Sequence, residues 1–564
     1  MLNDENHGRD PGQAGAARAA AIDMPRLERY GASHARLVVD GAPFLAIGGE
    51  LHNSSSSDPE HMLGVWEKLR GSGFNSVIAT VGWDQVEPIE GAFDFTVVDM
   101  LLAGARSAGL RLVLIWFGAF KNASSTYAPS WVRSDRERFP RAVLAEPRVP
   151  TPFTYEGSMS RPVLSVFSAA LLEADTAAYR ALMSHLADTD PEHTVILMQV
   201  ENEVGLLGSS RDRSPAALDA WNAEVPERLR RALRDVPDTF DPDARQALMP
   251  ATERSGSWAD IFGDGEPVAD EAFMAWAFAS YVGSLASAGK EVLPLPAYAN
   301  AWLGPQAPGD LPGTYPSGGP TAAMLGVWRS AAPSLDFLAP DIYVPDSRAV
   351  MEQYAVPGNP LFIPEARFRA GDAFLAIGQY GGIGYQVFGV EDGRPGSQFS
   401  VAARTILAST KAIVDAQRSG SMFAFALRPD DDSAGAEING VTVTVRNAPK
   451  LYATMLLDAG VVLPPPPELP DETEGAAHGI TRGDDRVFGL VAGQPDGSFL
   501  ILGQGALIDF SSDDAELEVD SVRELRLVDG VWQDGRVLNG DERLTIVPRD
   551  RIGAARLRLL KFDR

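Results

Sequence analysis

Val195-Ile196-Leu197-Met198-Gln199-Val200-Glu201-Asn202-Glu203 runs from aliphatic residues into a carboxylate. An apolar run this short, rich in branched side chains and set between two longer amphipathic segments at 171–189 and 215–235, reads as a buried strand between helices. The alternation extends outward in both directions, from about residue 36 to 430. Short apolar runs at 44–48, 76–81, 110–117, 195–200, 294–298, 335–342, 360–363 and 384–388 alternate with helical patterns at 59–72, 97–108, 171–189, 215–235, 270–290 and 401–419. Strand and helix in alternation predict a parallel sheet with helices outside, and eight such strands predict a (β/α)8 TIM barrel of the α/β class. Segment 36–39 leads into the first strand through a hairpin turn at Asp40-Gly41, and a ninth apolar run, 422–426, is left over. The span exceeds the roughly 250 residues of a bare barrel, so some loops are long; 146–162 and 305–320 are the expected ones.

Beyond the barrel the character changes. Pro464-Pro465-Pro466-Pro467 is a stiff spacer, and 486–491, 499–502, 515–519, 524–528 and 544–547 read as short strands between Asp/Gly turns. The expected domains are a tail over 1–28, the barrel over 29–430 and a C-terminal all-β, sandwich-like domain over 431–564. The last is expected to be structural, capping the barrel or building a dimer contact, which leaves a homo-oligomer open.

Composition narrows the function. The 564 residues carry 49 Lys+Arg against 76 Asp+Glu, a net charge of −27 that repels a phosphate backbone, so no nucleic-acid partner is expected. There is no cysteine, which removes disulfides, thiolate nucleophiles and Cys-ligated metals. No apolar run approaches the ~20 residues that cross a bilayer, so no membrane partner is expected. The first residues carry acids where a secretory signal carries bases, which makes cytoplasmic residence the default expectation. His-Glu-x-x-His, Gly-x-Ser-x-Gly and the Walker lysine loop are all absent. No metal site and no cofactor are expected.

Barrels place their chemistry at the C-terminal ends of strands. Two acids stand there: Glu203 after the fourth strand, and Glu365 in Pro360-Leu361-Phe362-Ile363-Pro364-Glu365 at the seventh. These strands lie on opposite sides of a barrel mouth. Cleaving an acetal needs a proton for the leaving oxygen and negative charge at an oxocarbenium-like centre, and two carboxyls in different environments supply both.

Gly48-Gly49-Glu50-Leu51-His52, followed by Pro59, Trp66, Leu69, Gly73, Asn75, Val81, Trp83, Glu87-Pro88, Gly91 and Phe93-Asp94-Phe95, is similar to the N-terminal signature of glycoside hydrolase family 35, the β-galactosidases. Val200-Glu201-Asn202-Glu203-Val204-Gly205 resembles that family's acid/base motif, and Ala339-Pro340-Asp341-Ile342-Tyr343 resembles an element of its wider clan. The resemblance implies a retaining exo-β-glycosidase, foremost a β-galactosidase, acting on an oligosaccharide or other glycoside by double displacement. Within it Glu203 is the general acid/base, Glu365 the nucleophile, and Tyr343 the nucleophile's hydrogen-bond partner. The same mechanism on another sugar, transglycosylation, and a non-catalytic carbohydrate-binding barrel are the alternatives. Asn53-Ser54-Ser55-Ser56-Ser57 and Trp116-Phe117-Gly118-Ala119-Phe120-Lys121-Asn122 depart from the family's usual loops, which marks a divergent subfamily.

Further residues carry two readings each. Asn202 either orients a sugar 2-hydroxyl or satisfies a strand-end backbone group. Strict alternation sends Asn202 and Glu203 to opposite faces, so both reach the mouth only through a bulge or twist. Glu201 reads as a buried structural acid. Trp83 and Trp302 are either sugar platforms or core. His52, with Glu50, either binds hydroxyls or is a satisfied core histidine. Lys121 and Asn122 are expected to donate to hydroxyls or to a carboxylate-bearing sugar, and Tyr385 to stand at the mouth.

Overall fold

A computed structural model describes residues 23–32, 34–145, 162–465, 468–474 and 481–563. Eight parallel staves form the barrel: β1 (Ala46–Glu50), β2 (Ser76–Gly82), β3 (Arg111–Lys121), β4 (Val195–Asn202), β5 (Ala297–Ala301), β6 (Phe337–Ile342), β7 in two pieces (Phe362–Ile363 and Glu365–Ala366) and β8 (Gly384–Phe388). The interruption in β7 falls at Pro364, which has no N–H to give a ladder. The first piece pairs with β8, Phe362 opposite Gly384, and the second with β6, Glu365 opposite Asp341; the barrel closes through this divided strand.

The lumen is packed, not hollow. Ile78, Val113, Ile115, Phe117, Ile196, Leu197, Tyr298, Phe337, Ala339 and Phe362 fill it, with Tyr298 stacked on Phe337 at 5.0 Å. Leu37 and Val39 close its N-terminal end from the antiparallel hairpin His34–Val39 and Ala42–Phe44, whose turn residues Asp40 and Gly41 take the left-handed conformation that the Asp-Gly pair suits. Arg26–Tyr30 adds a third strand to that hairpin, so the segment read as a tail is structured from there; residues 1–22 lie outside the described ones. Outside the staves pack helices α1 (Pro59–Arg70), α2 (Thr96–Ala108), α3 (Ala169–Thr189) and α4 (Pro267–Lys290). The first three present an apolar stripe to the sheet, as Leu171, Ala178, Leu182 and Leu186 do on α3, whereas α4 is buried on most of its circumference. The pattern at 215–235 is two helices, Pro215–Trp221 and Glu227–Asp235, parted before Pro226. Segment 305–320 is a loop as expected; 146–161 lies outside the described residues.

The ninth apolar run, Met422–Leu427, belongs to the C-terminal region. It starts a six-stranded antiparallel sheet with Val487–Gly493, Phe499–Gln504, Gly553–Asp563, Ala515–Val528 and Val531–Leu538. Periodicity could not assign it because both its faces are buried: Phe423 and Phe425 enter the sandwich core, while Ala424 packs toward the barrel. Ser433–Ile438, Val441–Asn447 and Ala506–Ser511 form the facing sheet. The runs at 515–519 and 524–528 are one bulged strand, and 544–547 is no strand at all. A 3-10 turn, Gly540–Thr545, occupies that stretch instead, started by the Asn539 side chain, and it buries Ile546 and Val547 in the sandwich core. Phe374 meets Phe488 at 5.6 Å where sandwich and barrel join. Among the described residues no helix is long and apolar enough to cross a membrane.

Candidate active site

The strand ends deliver one polar cluster. β1 contributes Glu50, β3 Lys121, β4 Asn202 and the following Glu203, β5 Asn300, β6 Asp341 and the nearby Tyr343, and β7 Glu365.

The end of β4 decides which side chains reach it. Glu201 has φ 62° and Glu203 φ 45°, left-handed conformations that cost on the order of 1–3 kcal/mol each. They break the alternation that would part Asn202 from Glu203. Glu201 turns outward into the helix layer, Asn202 stays beside Gln199, and Glu203 joins the cluster. Hydrogen bonds hold this backbone: Glu203 N–H donates to Asn300 Oδ1 at 3.0 Å, Asn122 N–H to the Asn202 carbonyl at 3.1 Å, and Ala123 N–H to the Glu203 carbonyl at 3.2 Å. Asn202 Oδ1 accepts from Gln199 at 2.9 Å and from Asn300 at 3.1 Å, while its amide donates to Asn122 Oδ1 at 3.0 Å. Asn300 also donates to Asp341 at 2.7 Å.

β3 is bulged opposite this turn. Trp116 pairs with Val200, and the next partners are Lys121 and Asn202, so four residues, Phe117 to Phe120, arch out of the ladder opposite the single Glu201. The arch lifts Lys121 to the mouth, where it donates to Asn122 and lies 4.9 Å from the Phe117 ring centroid.

Burial dominates the electrostatics. Glu203 is pushed up to about 7, first by loss of water and then by the charge of Glu365, with Lys121 pulling the other way. Burial also raises Glu365, but the Tyr343 hydroxyl, which donates to its Oε1, and Lys121 both favour its anion. Glu50 and Asp341 are held well above the usual carboxylate range by burial and then by Glu365, and each has one buried oxygen without a hydrogen-bond partner. Lys121 is the cation common to Glu50, Glu203 and Glu365.

The residues expected from sequence divide accordingly. Glu50, Lys121, Asn122, Asn202, Glu203, Tyr343 and Glu365 come together at the mouth, and Trp302 sits half-buried just past β5. His52 lies to one side, its Nε2 2.8 Å from Asp392 and its ring edge-on to Phe388. Two expectations are corrected. Trp83 is fully buried, donates to Glu87 at 2.9 Å and packs edge-on against Trp131, so it presents no face to a sugar. Tyr385 is the second residue of β8, below the mouth; its ring packs on Phe399 in the helix layer and its hydroxyl donates to the Arg367 carbonyl at 3.1 Å. The divergent serines are spent internally, Ser55 on Glu391 at 2.6 Å and Ser56 on Thr80 at 2.8 Å. Asn300 and Asp341 join the cluster without being among the site residues expected from sequence. The signal for both was a lone polar residue near the end of an apolar strand, in Ala297-Tyr298-Ala299-Asn300-Ala301 and Phe337-Leu338-Ala339-Pro340-Asp341-Ile342.

Residues 56–238 match the glycoside hydrolase family 42 model, described as beta-galactosidase, and residues 405–547 match a domain of unknown function, DUF5597. "Probable beta-galactosidase C" of Aspergillus niger is 33% identical over 81 residues, 14% of this chain and 8% of that protein. Its Aspergillus clavatus counterpart is 33% identical over 94 residues, 16% and 9% of the two chains. The matches span 8 to 12% of the length of the curated relatives. A GH42 β-galactosidase from G. stearothermophilus is similar in structure with TM-score 0.45 and 12% identity, covering 91% of this chain and 98% of that one. A β-galactosidase from Bacillus circulans sp. alkalophilus gives 0.43 and 11%, covering 91% and 99%. Over these stretches the chain is similar to β-galactosidase-like glycoside hydrolases.

Proposed function

We propose that the protein is a retaining exo-β-glycosidase, foremost a β-galactosidase of the family 35 type that its motifs resemble. The observation that carries this reading is the unequal treatment of two carboxyls, Glu203 buried and Glu365 half-buried. Glu203, pushed up to about 7, keeps a proton to give, while Tyr343 and Lys121 favour the anion of Glu365. In the first step a Glu365 oxygen bonds to the anomeric carbon as the glycosidic C–O bond breaks, and Glu203 passes its proton to the leaving oxygen. In the second, Glu203 takes a proton from water, the water oxygen bonds to the anomeric carbon, and the bond to Glu365 breaks. Asn202 is aimed by Gln199 and Asn300 toward the same space, where it serves a sugar hydroxyl, with Glu50, Asn122 and Trp302 as further sugar contacts.

Initial rates on aryl β-galactoside, glucoside, N-acetylglucosaminide, xyloside and arabinosides, with Glu365→Gln as blank, test it. A galactoside rate lost in the blank supports the reading, and proton NMR of the first-formed anomer decides retention. Preference for another sugar keeps the carboxylate roles and replaces the substrate. Sugar affinity without turnover on the whole panel overturns the enzymatic reading.

A further inference from the structure

Behind the mouth, the site uses two acids without exposing them. Asp175 on α3 and Glu201 on β4 are both fully buried, and their carboxyls hydrogen-bond each other. Every group facing them is polar but uncharged. Trp116 Nε1 of β3 donates to Asp175 Oδ1 at 2.8 Å, and the Tyr281 hydroxyl of α4 donates to Oδ2 at 2.8 Å. Ala119 N–H lies 3.1 Å from Asp175 and 3.0 Å from Glu201, and Phe120 N–H 2.8 Å from Glu201. Tyr179 of α3 stands beside Asp175 and packs on Trp116. Among the described residues neither carboxylate has a cationic partner. Two bare anions in such a place would repel with no counter-charge, so the pair holds one proton between them.

Ala119 and Phe120 belong to the arch that β3 throws between Trp116 and Lys121. The Glu201 carboxylate thus fills the concave side of the bulge that lifts Lys121 opposite Asn202, and Glu201's own left-handed backbone turns Asn202 and Glu203 to the mouth. Gly118, at the crown, is glycine because an added Cβ would stand 2.4 Å from Trp116 Nε1 and 2.7 Å from both an Asp175 and a Glu201 oxygen.

We infer that Asp175 and Glu201 are a proton-sharing positioning pair that sets Lys121 and Glu203 for the glycosidic reaction; the role in catalysis rests on the reading proposed above. One prop held by one proton serves both the common cation and the acid/base. Removal of that proton at alkaline pH puts two charges against each other beneath Gly118 and collapses the arch.

Three variants test this: Glu201→Ala, Glu201→Gln and Asp175→Asn. Displacing catalytic groups by an ångström costs on the order of a hundredfold, so Glu201→Ala is expected to lose about that much kcat with KM changed much less. Glu201→Gln restores most of kcat, because its amide donates to Asp175 and its oxygen accepts one arch N–H. Asp175→Asn keeps near wild-type rates at pH 6 and loses the most alkaline inactivation step, while the step set by Glu203 remains. Infrared spectra in D2O at pH 7 report the pair without turnover: one protonated-carboxyl band disappears in both Glu201→Gln and Asp175→Asn. An unchanged band in both overturns the shared proton. Loss of thermal stability in all three with an unmoved pH profile and no kcat split makes the pair merely structural, which also overturns the proposal. A wild type silent on every glycoside, with the band present, overturns the glycosidase reading and the catalytic role together while leaving the shared proton standing.

Discussion

Tyr343 donates its hydroxyl to Oε1 of Glu365 from just beyond the adjoining strand β6. The contact favours the anion and restrains the carboxylate, so in the proposed reaction the two residues act as one nucleophilic unit. Glu203 is served differently: its backbone N–H is fixed by Asn300, and burial pushes its carboxyl up to about 7.

Substitution at this unit has two expected sizes. Glu365→Gln is expected to lose about three orders of magnitude or more of kcat with the fold intact. Tyr343→Phe removes one hydrogen bond to a charged group, about 1.5–3 kcal/mol, and lowers kcat by roughly 10- to 100-fold. Steady-state rates with circular dichroism of each variant check both; equal losses would deny Tyr343 a mere supporting place.

The pH–rate profile follows from Glu203. Its proton is needed for leaving-group departure, so kcat/KM is expected to fall as pH rises through about 7, where that carboxyl ionises. Glu203→Gln removes this limb. Glu203→Gly keeps its first step on a dinitrophenyl glycoside, whose leaving group needs no proton, and azide restores turnover as the β-glycosyl azide. An α azide product would contradict double displacement.

Glu271 couples stability to pH outside the site. It is buried, accepts from the Tyr315 hydroxyl at 3.0 Å, and is pushed up to about 7 by burial. The folded state therefore binds its proton more tightly than the unfolded chain does. The resulting stability, about 3 kcal/mol, is complete below the unfolded carboxyl value and is lost as pH rises through about 7. Denaturant unfolding of Glu271→Gln at pH 5 and 8 is expected to show a smaller difference than the wild type.

Trp83 distinguishes core from platform. Trp83→Ala is expected to destabilise by about 3–5 kcal/mol, with KM for glycosides unchanged in the molecules that remain folded. Thermal melts beside Michaelis curves below the melting range separate the two effects; a raised KM at unchanged stability would put the ring back in the site.

Much of this was legible in the residues. Alternating apolar and amphipathic segments specify the barrel because each stave buries two faces and each helix one, and Glu203 and Glu365 follow from standing where apolar strands end. What was not legible depends on contacts remote in sequence. Nothing near Trp83 shows that Trp131 stands against its ring, nor near Tyr385 that Phe399 covers its own. The left-handed turns at Glu201 and Glu203 cannot be read from a motif of non-glycine residues, although without them Asn202 and Glu203 could not share a face. Met422–Leu427 was ambiguous for a simpler reason: a strand covered on both sides carries no periodicity to say by what.

Pro364 gives the barrel a seam. Each half of β7 is zipped to a single neighbour by a two-residue ladder, whereas β2 and β3 share a ladder of seven. β4 and β5 are joined as briefly, but only the divided stave combines two such short ladders, and it carries Glu365, the residue proposed to attack. A gap at this one stave would displace the proposed nucleophile while the longer ladders still hold the rest of the vessel.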